Sequence, residues 1–360
     1  MRKISKTQKI QIDTYNLLRV LVAILIALGI ACAIIFCVSE EPLTAIQKLL
    51  LGPLQTKRNF FTVISTMIPL VFTGLAINVM HKSGLFSMVA DGSFYMGAVA
   101  AAYVAIEWTL PSGLHQLALI IVASVVGGII GLIPALIKKY TGANELVVSL
   151  MLNYVFFYGG MFVINTWLLD QTTGFASYKF KETARLGLMI KGTNLHYGFL
   201  IMLAVIAVMY ILVEKSEFGY RLKVTGASRR FAKYSGIGVT GVMIGSQCIG
   251  GILAGMGGAI ELVGIYRKFE WYKPVSYVWD GILVNLLASS KPALIPVAAF
   301  FLSYVRVGAD IMSRNSDVDN EIVAVIQGVI ILLVAAERFL YGMKKRKEER
   351  EALENSQVTN

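Results

Sequence analysis

The sequence predicts an all-α polytopic membrane protein of about ten transmembrane helices. Three observations predict it. Hydrophobic residues make up 56% of the chain and charged residues 15%, against about 25% charged in soluble domains. Uncharged apolar runs recur along most of its length, many near the ~20 helical residues that cross a hydrocarbon core of ~30 Å. The basic residues gather at the ends of those runs and in the two tails, so a formal charge of +11 orients the chain in a lipid bilayer and does not mark a nucleic-acid surface.

Residues 1–19 form a basic N-terminus, with Arg2, Lys3, Lys6, Lys9 and Arg19 against Asp13. The run 20–39 follows. It is longer than the roughly 7–15 apolar residues of a cleaved signal and has no small-x-small cleavage site, so it is expected to be the first span. Further runs lie near 60–80, 84–107, 114–137, 145–168, 197–213, 236–264, 276–288, 293–312 and 320–336, the eighth of the ten being short and interrupted. Residues 20–340 are thus one transmembrane domain, and 341–360 a polar tail.

Placing the N-terminus in the cytoplasm puts 21 Lys and Arg in cytoplasmic segments and 11 in outer ones, with Arg306 inside the ninth run. That asymmetry follows the positive-inside rule and predicts both termini inside. The segment 169–196 becomes the longest outer loop. Ten spans divide into five plus five, and an odd number per half makes the halves inverted repeats. A two-residue echo accompanies the idea: Asp91-Gly92 and Asp280-Gly281 occupy equivalent runs.

Several chemistries are excluded. Cys32, Cys37 and Cys248 lie in apolar runs without metal or disulfide spacing, the three histidines are scattered, and no HExxH is present. No Gly-Lys dipeptide occurs, so the chain has no Walker A loop. Any nucleotide that drives it is bound by another subunit. No cluster of polar catalytic groups at one depth suggests a membrane-embedded enzyme.

The segment 214–236, EKSEFGYRLKVTGASRRFAKYSG, is strongly basic and lies between long apolar runs. Ser228 is placed to cap a short helix whose Phe231 and Tyr234 fall three apart on one side. An exposed aromatic pair on such a helix suits insertion into a groove of another protein. Taken alone, a solvated connector accounts for the same residues.

Carboxylates in hydrocarbon call for an explanation, so Asp91, Glu261, Asp280 and Asp310 stand out, with Asn153, Gln247 and Asn285. Glu261, Asp280 and Asp310 lie near run ends, where a neighbouring helix or the interface satisfies them. Asp91 lies in SGLFSMVADGSFYMGA, whose Gly84, Gly92 and Gly97 suggest a broken or closely packed helix beside a cavity. Asp91, Ser87, Ser93, Asn153 and Asn285 are therefore candidate pathway residues. Asp91 and the repeat idea also admit an ion-driven secondary transporter. In 236–264, GSQCIGGILAGMGGAIELVG is dense in small residues, a packing signal first.

Four stretches carry a family resemblance. GANELVVSLMLNYV (142–155), FGYRLKVTGASRRFAKYSGI (218–237), LAGMGGAIELVGIYRKF (253–269) and WDGILVNLLASSKP (279–292) resemble the permease subunits of ABC importers of the simple-sugar, branched-chain amino acid and nucleoside group, the nucleoside branch above all. The resemblance runs from about 60 to 336. It implies a type II-like permease that works with an ATPase subunit, a second and related permease chain and a binding lipoprotein, and that carries a small polar solute, a nucleoside before a simple sugar. ATP and Mg would sit on the ATPase, with no cofactor on this chain, in a bacterial plasma membrane.

It also implies that 218–237 is the cytoplasmic coupling loop, with Gly219, Arg221, Gly226, Ala232 and Gly236 at family positions. Phe231 and Tyr234 would then be packing anchors, and Arg221, Arg229 and Arg230 the polar rim. The sequence departs from the pattern in places. Ser87, Met88, Val89, Asp91 and Ser93 stand where Asn, Ile, Gly, Glu and Gln are usual, Asn285 replaces a small apolar residue, and Arg229 takes a place often held by proline.

Overall fold

A computed structural model describes residues 41–172 and 176–316, with a few isolated positions between 29 and 39 and between 325 and 329. The basic N-terminus, the tail 341–360 and nearly all of the first and tenth expected runs lie outside the described residues. The chain divides into two compact units, 1–56 with 304–360, and 57–303.

In the first unit, α1 (Pro42–Gln55) starts on a proline, whose missing N–H costs nothing in a first turn. The expected apolar runs stop at 39 and resume near 60, so α1 falls between two of them. α1 packs on the end of the last described helix. A Cβ at Gly308 would lie 2.3 Å from the Leu49 carbonyl oxygen, and the Tyr304 hydroxyl donates to the Leu50 carbonyl.

The second unit holds α2 (Lys57–Lys82), α3 (Ala90–Glu107), α4 (Leu114–Thr141), α5 (Glu145–Val163), α6 (Gly198–Tyr210), α7 (Glu217–Ala227), α8 (Arg229–Tyr234), α9 (Val239–Ile265) and α10 (Tyr277–Leu287). It also contains the first residues of α11 (Ile295–Asn315). α5 and α6 each widen into one π-helical turn at the C-terminal end.

Among the described residues, six helical segments are long and apolar enough to cross a membrane: Lys57–Lys82, Leu114–Thr141, Glu145–Leu168, Gly198–Lys215, Val239–Ile265 and Pro292–Asn315. They coincide with six of the expected runs. The third expected run is broken. Gly84 takes φ +76° behind α2, residues 84–89 are non-helical, and α3 starts only at Ala90. The eighth is 11 residues long, about 16 Å of helix, or half the core.

α9 is the centre of this unit and packs against α4, α3 and α2. Its small residues allow this. A Cβ at Gly251 would stand 2.3 Å from the Gly127 oxygen of α4, and one at Gly258 2.1 Å from the Phe94 oxygen of α3. Helices in lipid gain little from hydrophobic exclusion, so backbone approach of this kind supplies their cohesion. α2 and α9 are mostly enclosed, while α5 and α6 are mostly exposed.

The segment after α5 is stitched to the chain that leaves α9. Phe180 N–H donates to the Arg267 carbonyl at 2.9 Å, Phe269 N–H to Ser177 Oγ at 2.8 Å, and Lys268 pairs with Asp170 at 3.1 Å. The Thr172 and Lys268 hydrogen bonds hold the Asp170 carboxyl down to about 2. His196 is fully buried at the foot of this layer. Its Nδ1 accepts from the Gly198 N–H at 3.2 Å, and burial lowers its pKa to about 4, so the ring is neutral.

Candidate functional site

α7 and α8 form the basic handle. Ser216 Oγ accepts from the Gly219 N–H at 3.1 Å, and Ser228 Oγ from the Phe231 N–H at 3.3 Å, so a serine caps each helix. Gly219 lets α7 fold back on the end of α6, since a Cβ there would lie 2.2 Å from the Val213 oxygen. Gly236, at φ +76°, turns the chain out of α8 towards α9. Ala232 is buried, whereas Phe231 is 61% and Tyr234 91% exposed. Tyr234 is the most exposed large hydrophobic side chain among the described residues.

The other end of the handle is seated on the break between α2 and α3. A Cβ at Gly226 would stand 2.1 Å from the Lys82 oxygen. The Arg229 guanidinium donates to the Gly84 carbonyl. Glu214 pairs with Lys82 at 3.4 Å and with Lys223 at 2.6 Å. Arg229 thus braces the handle from within, while Arg221 pairs along its own helix with Glu217 at 2.5 Å. Arg229 also lies within electrostatic reach of Glu145, which opens α5 and pairs with Lys138.

The link 84–89 is fastened at its far end to α5. Met88 N–H donates to Ser149 Oγ at 3.0 Å. Asn153 bonds through both ends of its amide: Nδ2 donates to the Met88 carbonyl at 2.9 Å and Oδ1 accepts from the Gly92 N–H at 3.0 Å. Backbone groups freed by the helix break are thereby satisfied. Handle, link, α3 and α5 form one chain of direct contacts.

Beside the joint is a cavity of about 110 Å³ lined by Asp91, Tyr95, Asn153, Tyr154, Phe157 and Trp279, among others. It brings together the first turn of α3, the middle of α5 and the start of α10. The Asp-Gly echo has a structural counterpart here: Asp91 lies in the first turn of α3 and Asp280 in the first turn of α10, where carboxylates complement the helix dipole. Each helix begins after a non-helical stretch.

The five pathway candidates separate. Asp91 and Asn153 line this cavity. Ser87 is buried and accepts from the Val89 N–H at 3.4 Å, and Ser93 is buried within α3. Asn285 Oδ1 accepts from Asn78 Nδ2 at 2.7 Å, joining α10 to α2. Glu261 accepts from the Tyr277 hydroxyl at 2.8 Å, in line with satisfaction by a neighbour. Sequence reasoning missed the aromatic wall. Its signal was the NYVFFY stretch of α5, where Tyr154 and Phe157 fall three apart on one side.

A family model described as branched-chain amino acid transport system / permease component matches residues 59–335. The chain belongs to this permease family. Among its relatives, the guanosine ABC transporter permease of Bacillus subtilis is 28% identical over 79% of this chain and 84% of its own length. The nucleoside ABC transporter permease of Lactococcus lactis is 26% identical over 92% of both. The glucose ABC transporter permease of Haloferax volcanii is 24% identical over 88% of this chain and 86% of its own. The expected resemblance is borne out: the permease is an ABC transport component, not an enzyme, and a multi-pass membrane protein.

Proposed function

We propose that the permease, with a second and related permease chain, lines the passage of an ATP-driven importer for nucleosides. A binding lipoprotein delivers the solute from outside, and a separate ATPase subunit binds ATP and Mg. This chain binds no cofactor, and its termini lie in the cytoplasm of a bacterial cell. The observation that carries the reading is the handle, whose exposed Phe231 and Tyr234 point outwards while Gly226 and Arg229 are locked to the link at Lys82 and Gly84. Two relatives named for guanosine and nucleosides support the choice of solute.

In the mechanism, closure of the ATPase pair moves α8. Backbone contact at Gly226 leaves no slack, so the link moves with it. Asn153 and Ser149 tie that link to α5, so displacement repositions the start of α3 against α5 and remodels the cavity between them. Outward- and inward-facing states then differ in how this joint packs, and ATP shifts their populations.

The test is copurification of the tagged permease with an ATPase, followed by uptake of labelled guanosine in proteoliposomes with excess unlabelled guanosine or ribose. Competition by guanosine alone supports the reading. Uptake of labelled ribose with no uptake of labelled guanosine favours the simple-sugar alternative, which the glucose permease relative supports. Absence of any ATPase rejects both.

A further inference from the structure

The cavity between α3, α5 and α10 contains a carboxylate that nothing among the described residues engages. Asp91 sits in its wall, and among the described residues its side chain makes no hydrogen bond or ion pair. A carboxylate in a mostly apolar setting is costly unless something donates to it. The other polar side chains of the wall differ. Asn153 spends both ends of its amide on Met88 and Gly92. The Tyr95 hydroxyl donates to the Trp271 carbonyl at 3.1 Å. Asp91 retains its full capacity.

The chemistry of the wall narrows what it takes. No Lys or Arg lines the cavity, so an anionic solute would meet no counter-charge. A carboxylate only accepts, and its two oxygens suit a pair of neighbouring donors. The rings of Tyr154, Phe157 and Trp279 line the same cavity as that acceptor, with Tyr154 and Trp279 largely exposed. They offer flat apolar faces to a planar group. At about 110 Å³ the cavity holds several waters, and hence a comparable number of solute atoms from a ring that enters.

We propose that Asp91 is a specificity-determining residue of the passage, accepting hydrogen bonds from the vicinal hydroxyls of a ribose while the Tyr154 and Trp279 rings flank the base. This rests on the nucleoside reading above. Solute would exchange the waters of the cavity for its own hydroxyls, so a sugar lacking them would leave the carboxylate unengaged and be carried less well.

The test uses the complete importer in proteoliposomes, with the same binding lipoprotein throughout. Uptake of guanosine and of its 2′,3′-dideoxy analogue is measured for the wild type and for Asp91→Asn, and the guanosine-to-analogue ratio is compared. What the lipoprotein contributes to selectivity cancels between the two. The ratio is expected to fall roughly tenfold in the variant, as loss of a charged acceptor implies. If Asp91→Asn does not copurify with the ATPase, Asp91→Ala gives the same readout. An unchanged ratio, or equal loss for both solutes, overturns the proposal, since a purely structural carboxylate would affect both alike. A wild-type complex that takes up neither solute overturns the nucleoside reading first and this proposal with it.

Discussion

Gly226 rests directly on the backbone of Lys82: a Cβ on the glycine would stand 2.1 Å from the lysine carbonyl oxygen. That contact joins the basic handle to the broken start of α3, and no side chain lies between to absorb motion. In the proposed mechanism this contact is what would let the handle act as a lever.

Gly226→Ala therefore forces the handle off its seat. Uptake is expected to fall about tenfold or more, because a displacement of about 1 Å can cost that much in a positioned assembly. ATP hydrolysis by the assembled complex should persist. Parallel assays of uptake and phosphate release check the split, and a variant that transports normally rejects the lever.

Phe231→Ala and Tyr234→Ala remove exposed rings and should leave the thermal midpoint of the isolated permease within about 1 °C, as surface substitutions do. Each should weaken ATPase association by about 2 kcal/mol, or roughly thirtyfold, as aromatic anchors at interfaces do. Pull-down titration of the ATPase against detergent-solubilised permease measures both.

Asn153→Ala strands the Met88 carbonyl and the Gly92 N–H, which Asn153 holds at 2.9 and 3.0 Å. Leaving such groups unpaired costs about 1–3 kcal/mol each. A lower thermal midpoint is expected, together with reduced uptake, since the same amide ties the link to α5. Asn153→Gln, one methylene longer, should not restore either.

His196 sets an acid limit on the layer formed by the segment 169–196. Its pKa lies near 4 in the fold against 6.5 ordinarily, so the unfolded chain binds the proton more readily. Its contribution is whole above pH 6.5 and is lost as pH falls from there towards 4, amounting to roughly 3 kcal/mol. Thermal midpoints between pH 7.5 and 5 should decline in the wild type and decline less in His196→Gln. Asp170 adds a second loss only at lower pH, since its depressed carboxyl protonates between its ordinary 3.8 and about 2.

Much of the local structure was legible in the sequence. Ser228 caps α8 as its position before Phe231 suggested, the six long helices fall on apolar runs, and the glycines around Asp91 did mark a helix break. Those features follow from neighbours a few residues away. The segment 169–196 was opaque because several of its backbone bonds go to distant groups, among them the carbonyls of Val263, Arg267 and Phe269, which face it only once α9 is in place. α1 was missed because its packing partner is about 250 residues away.

Hydropathy and charge distribution by themselves determined that this is a polytopic membrane protein with a basic segment between apolar runs, since each is a sum over short stretches of chain; the permease reading came from the resemblance of four stretches to a family. Tertiary structure alone decided which polar groups remain available. Asn153 and Asp91 were both pathway candidates and both line the cavity, but the fold brought Met88 and Gly92, more than 60 residues from Asn153, against one and left the other without such partners among the described residues. A hydrogen bond saturates its partners, and which partners arrive is settled by the packing of distant helices.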